Sequence, residues 1–584
     1  MMVLKKNYQK HLKSIALTLS FSLLPLMATA EEMPHPVVDA GHLLNELEPE
    51  RHILPAPKEP EVNIRTPKLG QQGSEARVMV KSIVFHWREK ELLQKKPAVW
   101  YQVHSKTEQE RLDEIAHAVV DEQLGKKLSF NELVQLAEQV TLKLREEGYP
   151  TAIVYMPQQN MENDCLAMQV IMGSYNKIEF DNQSMLTDER LKGMAYELQK
   201  DGLITNNELN KVLLNLNDIP GMQVRASLEP GEEVGTAILK LSANCLEKQG
   251  LMLYADNWGS KSTGRYRYGA HYHYNNLSRV GDQLQFNYML TNERDMDNYH
   301  AQYELPVGRD GAKWRVGVSK LNYELGDKHR WMDADGSSVT WETGFTVPME
   351  RTLHYSNFYD VAYRHRKIED NMFNGIYSSQ KSSDAVDVTL KGYKAASTDS
   401  LSYSITGTVG KLYMDSEQAK IGDAYDTAGW FQKSGADFYW IHNFSDVTSL
   451  HLFGSGQWSW NHNLDSSEDF YIGGPTAVRA FPTGEASGDW GVLGTAELRY
   501  QTDTPGLQLV SFYDIGYVRY NADDPFDDDA HSRTLAGAGV GLIYSKSRDC
   551  YIKVDYAVPL TNKYSQSYGR INKHMLWFRA VKQY

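Results

Sequence analysis

From about residue 248 onward the chain alternates apolar and polar positions with a period of two. Across residues 265–274 the even positions are Tyr266, Tyr268, Ala270, Tyr272 and Tyr274, while Arg265, Arg267, Gly269, His271 and His273 fill the odd ones. Leu284, Phe286, Tyr288 and Leu290 then stand opposite Gln283, Gln285 and Asn287, and Leu450, Leu452, Trp458 and Trp460 opposite His451, Ser455, Gln457 and Ser459. Successive side chains of a strand point to opposite faces, so each segment offers one face to an apolar medium and one to water. A charge on a lipid-facing position costs ~2–4 kcal/mol at mid-bilayer, which keeps the division clean in a membrane barrel. A soluble sandwich alternates too, but has no need of this aromatic density. The pattern predicts a transmembrane β-barrel over residues 247–584, and a strand plus connection of about 21 residues gives ~16 antiparallel strands.

Upstream the periods mix. Residues 78–87 alternate as a strand, 108–124 and 129–147 carry helical periodicity, and 151–156 and 165–172 return as strands. Ser129 stands three residues before Glu132, a capping box. The order then repeats: a strand at 177–180, helices at 187–200 and 205–217, strands at 223–228 and 236–242. Thr187 caps with Arg190 at the third position, while Asp188 and Glu189 favour the positive end of the helix. Two small α+β domains are expected, 77–174 and 175–246.

Ahead of them, residues 39–48 fit a short amphipathic helix with Asp39 as N-cap, Leu43, Leu44 and Leu47 on its apolar side, and Pro49 as its stop. On the residues alone a disordered leader is the other reading. Pro49, Pro55, Pro57, Pro60 and Pro67 make an extended, semi-rigid linker, so 31–76 reads as helix plus linker. Lys5, Lys6, Lys10 and Lys13 precede an apolar run and Ala28-Thr29-Ala30, the pattern of a signal peptide over 1–30.

Composition narrows the class. After the leader no apolar stretch is long enough for a spanning helix, and a mean hydropathy of -0.51 with 35 tyrosines and 43 glycines suits strands half in lipid and half wet. A formal charge of -14 argues against nucleic acid as a partner. Cys165, Cys245 and Cys550 cannot form a paired framework.

Counting back from the C-terminus, strands are expected at 574–584, 551–560, 534–545, 507–520 and 491–502. The connections between them alternate long and short, as they do when turns face the periplasm and loops face outward. By that parity residues 470–491, a glycine-punctuated hairpin with one arginine, spring from the outer side. A loop this long in a barrel normally has work to do.

The hairpin's Val478-Arg479-Ala480-Phe481, with Gly473-Gly474 ahead and Gly488, Asp489 and Gly491 behind, resembles the sixth-loop hairpin of the two-partner secretion transporters. These are the ShlB/FhaC/HecB-type haemolysin secretion and activation proteins of the BamA-like superfamily. Phe512-Tyr513-Asp514-Ile515-Gly516 is similar to that family's aromatic-x-Asp-x-Gly wall motif. Asp256-Asn257-Trp258-Gly259, Thr263-Gly264, Asn276-Leu277 and Gly281-Asp282 look like its barrel opening, and the strand-helix-helix-strand-strand repeat resembles its POTRA domain, here twice. The resemblance runs from about Asp39 to Tyr584. It implies a hairpin folded back into the lumen with Arg479 paired to Asp514, and Phe512 and Gly516 shaping the wall. It also implies a plug made by the helix of Leu43, Leu44 and Leu47, and periplasmic POTRA domains that capture an unfolded secreted exoprotein, an adhesin or haemolysin. That partner crosses without ATP. Outer-membrane lipid surrounds the barrel, and no cofactor, metal or catalysis is implied. One departure is Ala480, where the family has glycine; a φ above zero there would strain the tip. An outer-membrane assembly factor of the same superfamily (BamA/TamA-like), a passive porin or receptor, and a barrel-embedded hydrolase are the competing readings.

Other patterns lack context. Gly537, Gly539 and Gly541 fall at period two in a strand with no helix after them, so they thin one face of the wall rather than bind a nucleotide. Asp523, Asp524, Asp527, Asp528 and Asp529 lack the spacing of a calcium loop and read as a solvated outer loop. No H-E-x-x-H, G-x-S-x-G, Walker or C-x-x-C sequence occurs.

Overall fold

The computed structural model describes residues 38–47, 60–64, 77–87 and 108–584, save 162, 200–201, 234, 294, 461, 524–530, 547–548, 562–563 and 568–569. The signal peptide, most of the linker and four of the five aspartates at 523–529 lie outside the described residues.

The first α+β unit opens with β2 (Arg77–Val80) and β3 (Ser82–Trp87) and continues through α2 (Glu108–Val120), β4 (Lys126–Ser129), α3 (Phe130–Glu146), β5 (Ile153–Tyr155) and β6 (Cys165–Ile171). Ser129 and Glu132 close the box at the start of α3: the Ser129 hydroxyl accepts from Glu132 N, and the Glu132 carboxylate from Ser129 N at 2.6 Å. The sequence pattern misses β4, a four-residue strand paired with β2.

The second unit is β7 (Ser174–Gln183), α4 (Asp188–Met194), α5 (Asn206–Asn217), β8 (Met222–Pro230) and β9 (Thr236–Cys245). Helix α4 stops well short of residue 200: its chain turns at Ala195, and Tyr196 then reaches Asp310 at 3.1 Å on a barrel turn. Its sheet order is β1-β8-β9-β7, where β1 (Val62–Ile64) is a piece of the proline-rich linker. This unit rests on the periplasmic turns of the barrel. Arg190 donates to the carbonyls of Val280, Gly308 and Pro306, and Arg351 pairs with Asp218.

Sixteen antiparallel strands among the described residues close the barrel, from β10 (Gln249–Asp256) to β25 (Met575–Gln583). Each pairs with its chain neighbour, and β10 meets β25 over Met252↔Gln583 to Asp256↔Arg579. Alternation sets the faces. On β22 (Leu507–Arg519) Phe512, Asp514, Gly516 and Val518 are buried while Leu509, Tyr513 and Tyr517 are exposed to the lipid side. Tyr266, Tyr268, Leu284, Phe286, Trp458 and Trp460 are likewise exposed.

Candidate functional site within the barrel lumen

Between β20 (Thr448–Ser459) and β21 (Trp490–Gln501) the chain folds back into the barrel instead of projecting from it. An apolar cluster makes that favourable: Phe470, Ile472, Val478 and Phe481 of the loop pack against Leu493, Phe512, Val518 and Leu535 of the wall. Full burial of a side chain such as Val478 or Phe481, both 0 % exposed, stabilises by ~1.5–3 kcal/mol. Close approach needs a wall without side chains. A Cβ on Gly516 would lie 2.8 Å from Ile472 Cβ and 3.2 Å from Val478 Cγ2, and one on Gly537 would lie 2.3 Å from Ala480 Cβ. Gly539 makes the same room for the Phe512 ring and Gly541 for Asp555. On the loop itself Gly473 abuts the Pro482 carbonyl, Gly488 the Arg519 carbonyl and Gly491 the Phe470 ring, while Gly474 turns at φ +112°. Ala480 keeps a negative φ and carries no strain.

The cluster delivers Arg479 to the wall. Its Nε donates to Asp514 Oδ2 at 2.9 Å and its Nη2 to Asp514 Oδ1 at 2.8 Å, while its own backbone N–H reaches Oδ2 at 3.1 Å. The planar guanidinium thus meets the carboxylate through two parallel bonds, which fixes its orientation as well as its position. Both residues are buried, and the guanidinium carbon lies 3.4 Å from the centroid of the Phe512 ring. Nη1 reaches Glu497 Oε1 at 2.6 Å and Asp555 Oδ2 at 3.5 Å. Arg499 closes on Glu497 and Lys553 on Asp555. Three cations and three carboxylates therefore balance among the described residues, and no charge is stranded. Trp577 Nε1–H and Asn572 Nδ2–H fasten the carbonyls of Arg479 and Ala480 from the last strand and the loop before it.

Sequence reasoning names the Arg479 and Asp514 positions but not Glu497, Asp555, Arg499 or Trp577. Only strand parity, with Glu497 opposite Phe512 and Asp555 opposite Gly541, points to them, and it does so once the register is known. Asp489 lies apart from Arg479. Its carboxylate accepts from Leu464 N at 3.0 Å and Ala522 N at 2.6 Å, joining two outer loops. Glu485, which no motif singles out, is fully buried and held by Arg533, Ser565 and Gln566.

The other occupant of the lumen is α1 (Ala40–Leu47). Leu43 is fully buried and Leu44 half-buried against Met289, Leu321, Tyr323 and Ile368 of the inner wall. The side chain of Leu47 lies outside the described residues. Asp39 caps the helix by accepting from His42 N at 2.8 Å, and Ala40 N donates to Asp370 Oδ1 at 2.8 Å. The same loop that carries Arg479 seats this helix. Ser466 donates to Asp39 at 2.8 Å, Tyr471 hydrogen-bonds His42, and Lys381 bridges Asp465 at 2.6 Å and Asp39 at 3.9 Å. Glu468, two residues on from Ser466 and buried, collects Arg364, Arg366 and Lys433 from two strands of the wall.

A family model described as "Haemolysin secretion/activation protein ShlB/FhaC/HecB" matches residues 235–544, and one described as "POTRA domain, ShlB-type" matches residues 102–173. The chain is 26% identical over 504 residues to the heme/hemopexin transporter protein HuxB of Haemophilus influenzae (strain 86-028NP), covering 84% of this chain and 87% of that protein. It is 22% identical to the outer membrane transporter CdiB of Dickeya dadantii (strain 3937) over 71% of this chain and 74% of that one. The solved structure of CdiB from Escherichia coli superposes with a TM-score of 0.65 at 18% identity, over 93% of this chain and 95% of that chain. With a sixteen-stranded barrel in the outer membrane and POTRA-type units on its periplasmic side, the chain belongs to the haemolysin secretion/activation protein family ShlB/FhaC/HecB, the outer-membrane transporters of two-partner secretion.

Proposed function

We infer that the two α+β units bind an unfolded exoprotein of adhesin or haemolysin type in the periplasm, and that the barrel passes it outward in extended form once α1 has left the lumen. The Arg479 hairpin is the brace of that channel, and Arg479 with Asp514 is its fastening. One observation carries this reading: Ser466 and Tyr471 hold the plug helix while Val478 to Phe481 hold the wall, so plug and brace share a single loop. No nucleotide motif occurs in the sequence, which is consistent with the family picture in which folding of the exported protein outside the cell supplies the drive, and no catalytic step is assigned. Charge reversal by Asp514→Arg brings a second guanidinium against Arg479 and sets four cations against the two remaining carboxylates, Glu497 and Asp555. The expected result is loss of one exported protein from the medium with the barrel still inserted. Continued secretion would remove the role given to the pair, and broad loss of outer-membrane proteins on deletion of the whole chain would point instead to an assembly factor.

A further inference from the structure

We propose that the lipid-facing surface of β18 (Asp399–Met414), β19 (Gly429–Asn443), β20, β21 and β22 holds, at its outer end, a glycolipid of the outer leaflet: a phosphorylated glucosamine lipid of lipid A type. The site rests on the placement of the barrel in the outer membrane and not on the translocation reading.

Its frame is a stack of aromatic rings on adjacent strands. Trp458 on β20 and Trp490 at the start of β21 lie face to face with ring centroids 3.7 Å apart, and Trp460 joins Trp458 at 6.5 Å. At the end of β22 the Arg519 guanidinium carbon lies 5.0 Å from the centroid of the Trp490 ring, so the stack ends in a cation. Strand register sets the line, with Ser434 opposite Trp458 and Trp490 opposite Arg519. Trp458 and Trp460 are exposed.

Tryptophans scattered along a membrane girdle keep a wet end among the headgroups. Here two indole N–H groups are spent on protein instead: Trp460 Nε1 donates to Ser434 Oγ at 2.8 Å and Trp490 Nε1 to the Ser459 carbonyl at 3.1 Å. What these rings offer outward is their faces, and the negative face of an indole receives the C–H groups of a sugar ring. Arg519 forms no ion pair among the described residues. The Asp489 carboxylate, one residue before Trp490, is buried and already accepts from Leu464 N and Ala522 N. The guanidinium is thus left to a phosphate, which it can engage through two parallel bonds. A second cation stands at the far side of the patch, where Lys411 Nζ lies 4.9 Å from the centroid of the Tyr413 ring and 5.8 Å from that of Trp430. Toward the hydrocarbon the neighbouring outward positions are small, with Gly407 on β18, Ala436 on β19 and Gly456 on β20. A Cβ on Gly407 would meet nothing within 4 Å, so the wall leaves room for acyl chains there. Sugar, phosphate and acyl chains occur together in the glycolipid of that leaflet; a glycerophospholipid lacks the sugar.

Occupancy would bear on the hairpin. Trp458 and Trp490 flank the chain that turns inward, and on the lumen side of the same strands Gln457 Nε2 donates to the Glu468 carbonyl at 2.8 Å and to the Asp489 carbonyl at 3.3 Å. A lipid that bridges the rings outside ties together the two strands from which the hairpin hangs.

The test uses the full-length protein, purified in detergent and freed of native lipid. It is titrated with bisphosphorylated lipid A, with the same lipid after removal of its phosphates, and with phosphatidylglycerol, and bound lipid is read by native mass spectrometry. Lipid A should bind about tenfold or more tightly than phosphatidylglycerol. Arg519→Gln should lose about tenfold in affinity for lipid A and cease to distinguish it from the dephosphorylated form. Trp458→Leu, on another strand, should weaken both forms alike and covers the case in which the arginine variant does not assemble. Trp341→Leu, which removes an exposed tryptophan elsewhere on the barrel, should change neither. Lipid A binding that is unaltered in Arg519→Gln and Trp458→Leu, or equal binding of lipid A and phosphatidylglycerol to the unaltered protein, would overturn the proposal. Secretion is not the readout, so the site and the translocation reading fail separately.

Discussion

Replacing Arg479 with alanine should damage the hairpin's hold more than replacing Asp514 with asparagine, even though the two side chains face each other. In Arg479→Ala three buried carboxylates, Asp514, Glu497 and Asp555, are left to two cations, Arg499 and Lys553. A buried charge left without its partner costs ~3–5 kcal/mol. In Asp514→Asn three cations face two carboxylates and one acceptor oxygen becomes an amide donor, but the guanidinium keeps Glu497 at 2.6 Å, whereas Asp514 in Arg479→Ala loses the cation it is paired with. The loss in Asp514→Asn is therefore that of a charged hydrogen bond, ~1.5–3 kcal/mol. Neither ejects the loop outright, because Phe470, Ile472, Val478 and Phe481 each add ~1.5–3 kcal/mol of apolar burial. The hairpin therefore stays docked on average but opens more often, by about two to three and a half orders of magnitude for Arg479→Ala and one to two for Asp514→Asn. Proteolysis of the loop in the detergent-solubilised barrel reads that open population when reclosing is fast. Cleavage rates that are equal in the two variants, or an Arg479→Ala rate within about tenfold of the unaltered protein, would show that the charges do not hold the hairpin as argued.

Two other outcomes are expected. Gly41→Val should unseat α1, because a Cβ there would stand 2.5 Å from Ser466 Oγ and 2.7 Å from Ser467 N; single-channel recordings in planar bilayers should show a larger open fraction, and an unchanged closed state would count against the helix as plug. Ser129→Ala should lower the stability of the first α+β unit by ~1 kcal/mol in thermal melts. Hydrogen bonds from the Ser129 backbone and side chain hold the Glu132 carboxyl below its ordinary value, so the contribution of the box is present at neutral pH and lost as pH falls through the folded value. A Ser129→Ala effect that does not shrink on acidification would contradict this.

How much of this was legible in the chain depends on whether a feature is local. The barrel strands were readable because a period of two is written within each strand: β23 (Ser532–Lys546) and β24 (Cys550–Pro559) fall within two residues of the ranges expected from alternation. Ser129 with Glu132 was readable for the same reason, since cap and box lie in one turn. Glu497, Asp555 and Trp577 were not, because each comes to Arg479 only through the closure of strands distant in sequence. β1 was hidden for a different reason. Three residues in a proline-rich linker have no periodicity to detect, and their conformation is set by an edge 164 residues away, as the Arg225 and Glu61 pair records.

That division bears on the transport cycle itself. The features written locally, strand alternation and helix caps, build the rigid wall and the two soluble units. Those that local pattern could not reveal, the seat of α1 on Ser466, the ion cluster at Arg479 and the linker on β8, are contacts between separate bodies. A transporter that must open has to break contacts of this second kind and keep the first. The three differ in strength: one half-buried valine and an exposed pair at β8, one buried leucine with its polar seat at α1, and a neutral, fully buried cluster at Arg479. The linker is the least tightly held of the three and the hairpin, with six balanced charges and four apolar anchors, the most; an opening of the lumen is therefore expected to spare the hairpin.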